Sequence, residues 1–194
     1  MKFSISREAL IKPLNLVAGV VERRQTLPIL SNVLVVLEGK TLSLTGTDLE
    51  VELLGRVELD AEGVDGEITV PARKLVDICK SLPEGSNIEF SLDSGKATVK
   101  AGRSRFSLST LPAADFPAVE AGAGSVALSL EQALVKQLID GTAFAMAQQD
   151  VRYYLNGLYL EILGGRLRVV ATDGHRLALA TGPSRVEAAD TGVI

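Results

Sequence analysis

Cysteine and histidine occur once each in these 194 residues and tryptophan not at all, and each scarcity closes off a class of function. A lone Cys79 cannot form an intramolecular disulfide, and its place on the apolar face of a helical pattern predicts a buried thiol. A lone His175 does not supply the three or four ligands that a zinc site draws on, so no metal is expected. No run approaches the roughly 18 apolar residues of a membrane span, and MKFSISREAL lacks the apolar stretch of a secretory signal. The expectation is a cytoplasmic protein without membrane contact. Also missing are a glycine-rich phosphate loop, a nucleophile elbow and a Cys-His pair, so no catalytic residue and no cofactor is predicted. What is there is ordinary globular composition, 46% hydrophobic and 23% charged, enough for one or two cores. The net charge of −4 argues against a surface coated with phosphate-binding groups but leaves open how the positive residues are grouped.

Set against itself, the chain repeats. Ser6–Leu14 matches Leu130–Leu138 at an offset of 124; Glu38–Leu42 matches Leu163–Leu167, and Thr47-Asp48 matches Thr172-Asp173, both at 125. One inserted residue reconciles the registers. Three matches in the same order, each inside the same apolar pattern, indicate a duplicated domain. The first copy spans 1–120, a Pro, Ala and Gly-rich stretch at 111–125 reads as the linker, and the second copy occupies 126–194. The second copy stops where the first has reached Ile68-Thr69, so it is expected to be incomplete, the chain being a truncated protein or a fragment.

Each copy reads strand, helix, then antiparallel strands. Phe3 and Ile5 alternate with polar residues, and Ser6 is a suitable N-cap for a helix with Leu10, Leu14, Val17 and Val21 on one face. Pro13 should kink or shorten that helix. Val33–Leu37 and Thr41–Thr45 flank a hairpin turn, and Val51–Leu59 follows with a bulge expected at Gly55. Leu75, Ile78, Cys79 and Leu82 mark an amphipathic helix ended by Pro83 and Gly85, with Arg73, Lys74 and Lys80 opposite. Strands are predicted at Ile88–Leu92, Lys96–Ala101 and Arg103–Thr110.

The candidate chemistry is sparse. Thr47-Asp48 and Thr172-Asp173 suit a metal-dependent phosphotransferase only weakly; recurring in both copies, they fit better a turn in which Asp accepts from its own backbone. By default His175 is a partly buried, hydrogen-bonded histidine, but Gly174, Arg176 and Leu177 beside it would suit the rim of a peptide site. Gln148–Tyr154 places two of three tyrosines beside an arginine and two amides. Either one ring packs inward, or both stack on bases or bond phosphates, a reading that Arg23-Arg24 favours.

From Arg103-Ser-Arg-Phe through Asp115-Phe-Pro117 the sequence resembles the bacterial sliding clamp family, the beta subunit of DNA polymerase III. The likeness extends through Thr26–Asn32, Leu44–Glu50, Gln149–Gly157 and Val170–Ala178. It implies an α+β fold of duplicated clamp domains, with antiparallel sheets outside and two helices on the inner face of each complete copy. Three such domains per subunit would close head to tail into a homodimeric ring around duplex DNA, without sequence specificity. The ring would tether the polymerase catalytic subunit, the clamp loader and other proteins through short peptides. By the same resemblance Arg24, Arg73, Gln149, Tyr153 and Tyr154 match DNA-contacting residues. Arg152, Leu155, Thr172, Gly174, His175, Arg176 and Leu177 match the peptide cleft, and Lys74, Lys96, Arg103, Arg105, Phe106 and Leu108 the subunit interface. A third domain is absent from the 194 residues, so these alone are not expected to close a ring. Competing readings are a nucleic-acid binder that does not encircle and, behind it, the phosphotransferase using Asp48 or Asp173.

Overall fold

The structure, a computed structural model, describes residues 1–21, 27–117, 129–184 and, for the backbone alone, 190–193. It divides into two units, Met1–Ala121 and Gly122–Ile194. No helix among the described residues is long and apolar enough to cross a membrane.

The first unit opens with β1 (Lys2–Ser6) and α1 (Arg7–Val17). The Ser6 side chain accepts from the Ala9 amide, closing one of the open donors at the helix start. Leu10, Leu14 and Val17 are buried along one stripe, as their spacing requires. Pro13 does not shorten the helix, which continues for four residues beyond it. Then come β2 (Asn32–Glu38), β3 (Thr41–Thr47), β4 (Glu52–Glu58) and β5 (Gly66–Pro71), which form a sheet in the order β4-β3-β2-β5. Helix α2 (Ala72–Ser81) buries Leu75, Ile78 and Cys79 and exposes Arg73, Lys74 and Lys80. Burial pushes the Cys79 thiol up to about 11, which keeps it protonated at neutral pH. The strands β6 (Asn87–Asp93), β7 (Lys96–Ala101) and β8 (Ser104–Ser109) join β1 in a second sheet, ordered β1-β6-β7-β8. Phe3 and Phe90, cross-strand neighbours, stack there with centroids 4.9 Å apart. One core runs through both sheets and both helices.

The bulge expected at Gly55 is not formed. The β3–β4 ladder runs in unbroken register from Thr41↔Glu58 to Thr47↔Glu52, with Gly55 opposite Leu44. Gly55 is needed for space: a Cβ there would lie 2.7 Å from the Pro13 side chain. At Gly46 a Cβ would meet the Val17 carbonyl oxygen at 2.5 Å. Both glycines let α1 lie close on the sheet, and Pro13 is part of that contact.

Leu111–Pro117, the start of the stretch read as linker, is held on the first unit. Leu111 exchanges two backbone hydrogen bonds with Thr69, the Thr69 hydroxyl donates to the same carbonyl at 2.8 Å, and Phe116 is buried. The rest of that stretch, 118–125, lies outside the described residues.

The second unit contains α3 (Gln132–Asp140), β9 (Tyr159–Leu163), β10 (Arg166–Thr172), β11 (Leu177–Pro183) and β12 (Asp190–Val193). Its sheet order is β11-β10-β9-β12, the order of β4-β3-β2-β5 translated through the repeat. The duplication read from sequence is therefore a duplication of topology. Leu138, Ile162, Leu167 and Val169 form its small core.

Candidate functional site

Two loops of the second unit meet. The first is the turn between β10 and β11. The Thr172 hydroxyl donates to the Arg176 carbonyl at 2.7 Å and accepts from the Gly174 amide at 3.1 Å. Asp173 Oδ1 accepts from the amides of His175 and Arg176, both at 2.9 Å. These backbone donors hold the Asp173 carboxyl below the usual carboxylate range. The repeat builds the same turn in the first unit: Thr47 donates to the Val51 carbonyl at 2.9 Å, and Asp48 Oδ1 accepts from Glu50 and Val51 at 2.9 and 2.7 Å. Both aspartates thus serve the turn, in keeping with the structural reading of the repeated Thr-Asp pair.

The second loop is 148–157. Asp150 and Asn156 tie it shut: the Asp150 amide donates to Asn156 Oδ1 and the Asn156 amide donates back to the Asp150 carbonyl, each at 3.0 Å. The Asp150 carboxylate grips Arg152 with both oxygens, at 3.0 Å to Nε and 2.8 Å to Nη2. That grip pulls the Asp150 pKa down to about 2. Gln149 takes a left-handed backbone, φ 58°, unusual away from glycine. With the loop closed, neither tyrosine packs inward. Tyr153 is 82% and Tyr154 60% exposed, in edge-to-face contact at 5.9 Å.

The loops meet at Gly174. A Cβ there would lie 3.6 Å from Arg152 Nη1 and 3.7 Å from Nη2, so the guanidinium rests against the turn. Two concavities flank the contact. One, about 180 Å³, has a largely apolar lining that includes Tyr154, Leu155, Tyr159, Val170 and Thr172. The other, about 460 Å³ and largely polar, is lined by Phe144, Asp150, Arg152, Asp173, His175 and Arg176 among others. His175 is exposed, which corrects the default expectation of a partly buried histidine. Leu177 is exposed too, and Leu155 half-buried.

The structure therefore brings together Arg152, Leu155, Thr172, Gly174, His175, Arg176 and Leu177, which lie on these two adjoining loops. Gln149, Tyr153 and Tyr154 sit on the same loop as Arg152. Arg73 belongs to the first unit, where its guanidinium donates to the Val21 carbonyl at 3.2 Å; Arg24 lies outside the described residues. In the set expected at a subunit edge, Lys74 is on α2, while Lys96, Arg103 and Arg105 are exposed on β7, β8 and their turn, and Phe106 is half-buried. Leu108 alternates inward along β8 and packs, 4% exposed, in the unit's own core. Sequence reasoning missed Asp150 and Asn156 as loop ties and Phe144 as a wall. The Asp-x-Arg spacing at 150–152 was the one available signal for the first.

Residues 1–120 match the family profile of the DNA polymerase III beta subunit N-terminal domain, and 129–194 that of its central domain. The chain belongs to the DNA polymerase III beta subunit family. Among its relatives, the beta sliding clamp of Pseudomonas putida is 65% identical over 190 residues, 98% of this chain and 52% of that protein. The beta sliding clamp of Escherichia coli K12 is 55% identical over 183 residues, 94% of this chain and 50% of that protein. The crystal structure of DNA polymerase III subunit beta from Pseudomonas aeruginosa superposes with a TM-score of 0.94 at 64% identity, covering 99% of this chain and 52% of that one. The α+β clamp fold with a partial second domain is thus the fold of this chain. The chain spans about half the length of the relatives it matches.

Proposed function

We propose that this chain contributes to a DNA sliding clamp, a non-catalytic processivity factor that encircles duplex DNA as a head-to-tail ring and tethers a replicative polymerase. The observation that carries the reading is the repeated sheet order, β4-β3-β2-β5 and β11-β10-β9-β12, in a chain that matches beta sliding clamps over 98% of its length. Repeated domains joined by heterologous contacts close into rings. A ring retains DNA by topology, so its contacts need only be weak and directed at the backbone. Arg24, Arg73, Gln149, Tyr153 and Tyr154 are the proposed DNA contacts, and the exposure of both tyrosines supports this. The two adjoining loops of the second unit are the proposed peptide cleft. The β8 edge, with Lys74, Lys96, Arg103, Arg105, Phe106 and Leu108, is the proposed subunit contact, where a basic edge suits an acidic partner.

The test is topological. A protein extended to the family's full length should remain on circular DNA and be lost from linear DNA by running off its ends. The 194 residues alone should leave both equally fast. Loss at equal rates from circular and linear DNA by the full-length protein, with salt as the only control, would favour a binder that does not encircle.

A further inference from the structure

The side chain that ties the 148–157 loop shut belongs to a chemically labile dipeptide. Asn156 is followed by Gly157, whereas the other asparagines, Asn15, Asn32 and Asn87, are followed by leucine, valine and isoleucine. After asparagine, a glycine nitrogen attacks the side-chain amide most readily, because no side chain hinders its approach. The bulky residues that follow the other three hinder it. At Gly157 the nucleophile is free, since its amide donates to no backbone carbonyl among the described residues. Asn156 and Gly157 are only half-buried, so water reaches both. The target, in contrast, is held: Asn156 Oδ1 accepts from the Asp150 amide and Nδ2 donates to the Asp150 carbonyl, each at 3.0 Å. Attack on Cγ therefore proceeds from moments when this tie is open. The closed loop favours such moments, because it keeps Gln149 at φ 58°, a strained backbone for a residue with a Cβ.

We propose that Asn156 is a site of spontaneous deamidation and that its conversion unlocks the loop. The Gly157 nitrogen, giving its proton to solvent, bonds to Asn156 Cγ; the Cγ–Nδ2 bond breaks and ammonia leaves, closing a succinimide ring. Water then adds to one of the two ring carbonyls. Breaking the bond from Cγ to nitrogen gives aspartate, and breaking the original main-chain bond gives isoaspartate. Either product undoes the tie. A carboxylate accepts from the Asp150 amide but has no hydrogen for the Asp150 carbonyl, so two oxygens face each other where a hydrogen bond stood. Isoaspartate also lengthens the main chain by one carbon between Leu155 and Gly157, displacing the Leu155 carbonyl that accepts from the Ala147 amide. The added charge joins an Asp150 carboxylate already paired with Arg152. With the tie gone, nothing holds Gln149 in its left-handed conformation, and the Tyr153–Tyr154 pair loses its support.

The experiment ages the 194-residue protein at mildly alkaline pH, beside a synthetic peptide of the sequence Tyr153–Arg166, the fragment that trypsin releases around Asn156. Mass spectrometry follows the amide-to-acid exchange, and an isoaspartate methyltransferase labels the rearranged product. Asn156 should convert about 3–30-fold more slowly than in the peptide, a factor set by the share of time the loop stands open, and ahead of the other three asparagines. The 15N-labelled aged product, and Asn156→Asp made directly, should show shifted amides at Ala147, Asp150 and Arg152. Amides of the β10–β11 ladder should keep their positions and report an intact fold. An unchanged Asn156 after the peptide has converted fully overturns the proposal, as does earlier conversion at Asn15, Asn32 or Asn87. Deamidated protein whose loop amides stay in place also overturns it, because the tie would then be dispensable.

Discussion

The turn at Thr47–Val51 and the turn at Thr172–Arg176 have the same hydrogen-bond scheme and different side chains. In both, threonine donates to the carbonyl four residues on, and aspartate accepts from two amides ahead of it. In both, the third residue is left-handed: φ is 82° at Leu49 and 88° at Gly174. The first copy then presents Leu49, Glu50 and Val51, where the second presents Gly174, His175 and Arg176. The scaffold was copied whole; what makes the second turn a candidate site is the set of side chains grafted on it and the 148–157 loop that lays Arg152 against it. Function resides in such grafted sites rather than in the fold that carries them.

The comparison can be broken most severely where helix and sheet touch. Gly46 corresponds to Ala171, yet only at Gly46 would a methyl meet a helix carbonyl at 2.5 Å. Gly46→Ala should therefore destabilise the first unit by about 1–3 kcal/mol in urea unfolding, because α1 must shift. The reverse change, Ala171→Gly, should cost about 1 kcal/mol through a lost buried methyl and a freer backbone.

The two threonines make the next test, since they form the same bonds at different depth. Thr47 is fully buried and Thr172 is not. Thr47→Val should cost about 1–3 kcal/mol by leaving buried partners unpaired, and Thr172→Val about 0.5–1 kcal/mol, where water takes over. Equal losses in thermal unfolding would show that burial does not distinguish the turns.

Exchanging the left-handed residues should give opposite signs. Leu49→Gly relieves a strained φ and should change stability by at most about 1 kcal/mol, in the stabilising direction. Gly174→Leu should destabilise by a similar amount and weaken binding of peptides at Arg152 by covering it. Calorimetry reads the stability changes, and titration with a short partner peptide reads the binding change.

The smallest effect is on pH dependence. Asp48 and Asp173 are held low by backbone donors, and Asp150, by its grip on Arg152, at about 2. A depressed carboxylate contributes stability above its unfolded value, near 4, and that contribution is lost as pH falls through the folded value. Unfolding transitions recorded from pH 5 to pH 2 should lose midpoint steadily, and Asp150→Asn should flatten the lower part of that slope. The three carboxylates are only half-buried and remain in reach of solvent, so the change should be modest.

Much of the fold was legible because its signals are local. Ser6 caps, Leu10 and Leu14 recur at helical spacing, Thr47-Asp48 recurs as Thr172-Asp173, and each is a relation between near neighbours or between copies. Gly55 was misread for a reason of the same kind. A glycine in a strand looks alike whether it bulges or makes room, and only the position of Pro13 decides between them. Leu108 shares an edge strand with Arg105, and only the packing of the sheet shows that it points inward.

What the sequence determined by itself was the duplicated unit, its element order and the two Thr-Asp turns, since periodicity and side-chain capping act over a few residues. The tertiary structure alone decided that α1 lies flush on glycines 46 and 55, and that Arg152 and Arg176 line one cavity with aspartates behind them. The two arginines, like each glycine and the helix residue it meets, are more than twenty residues apart in the chain, and no local preference encodes a contact that exists only once distant segments have been packed together.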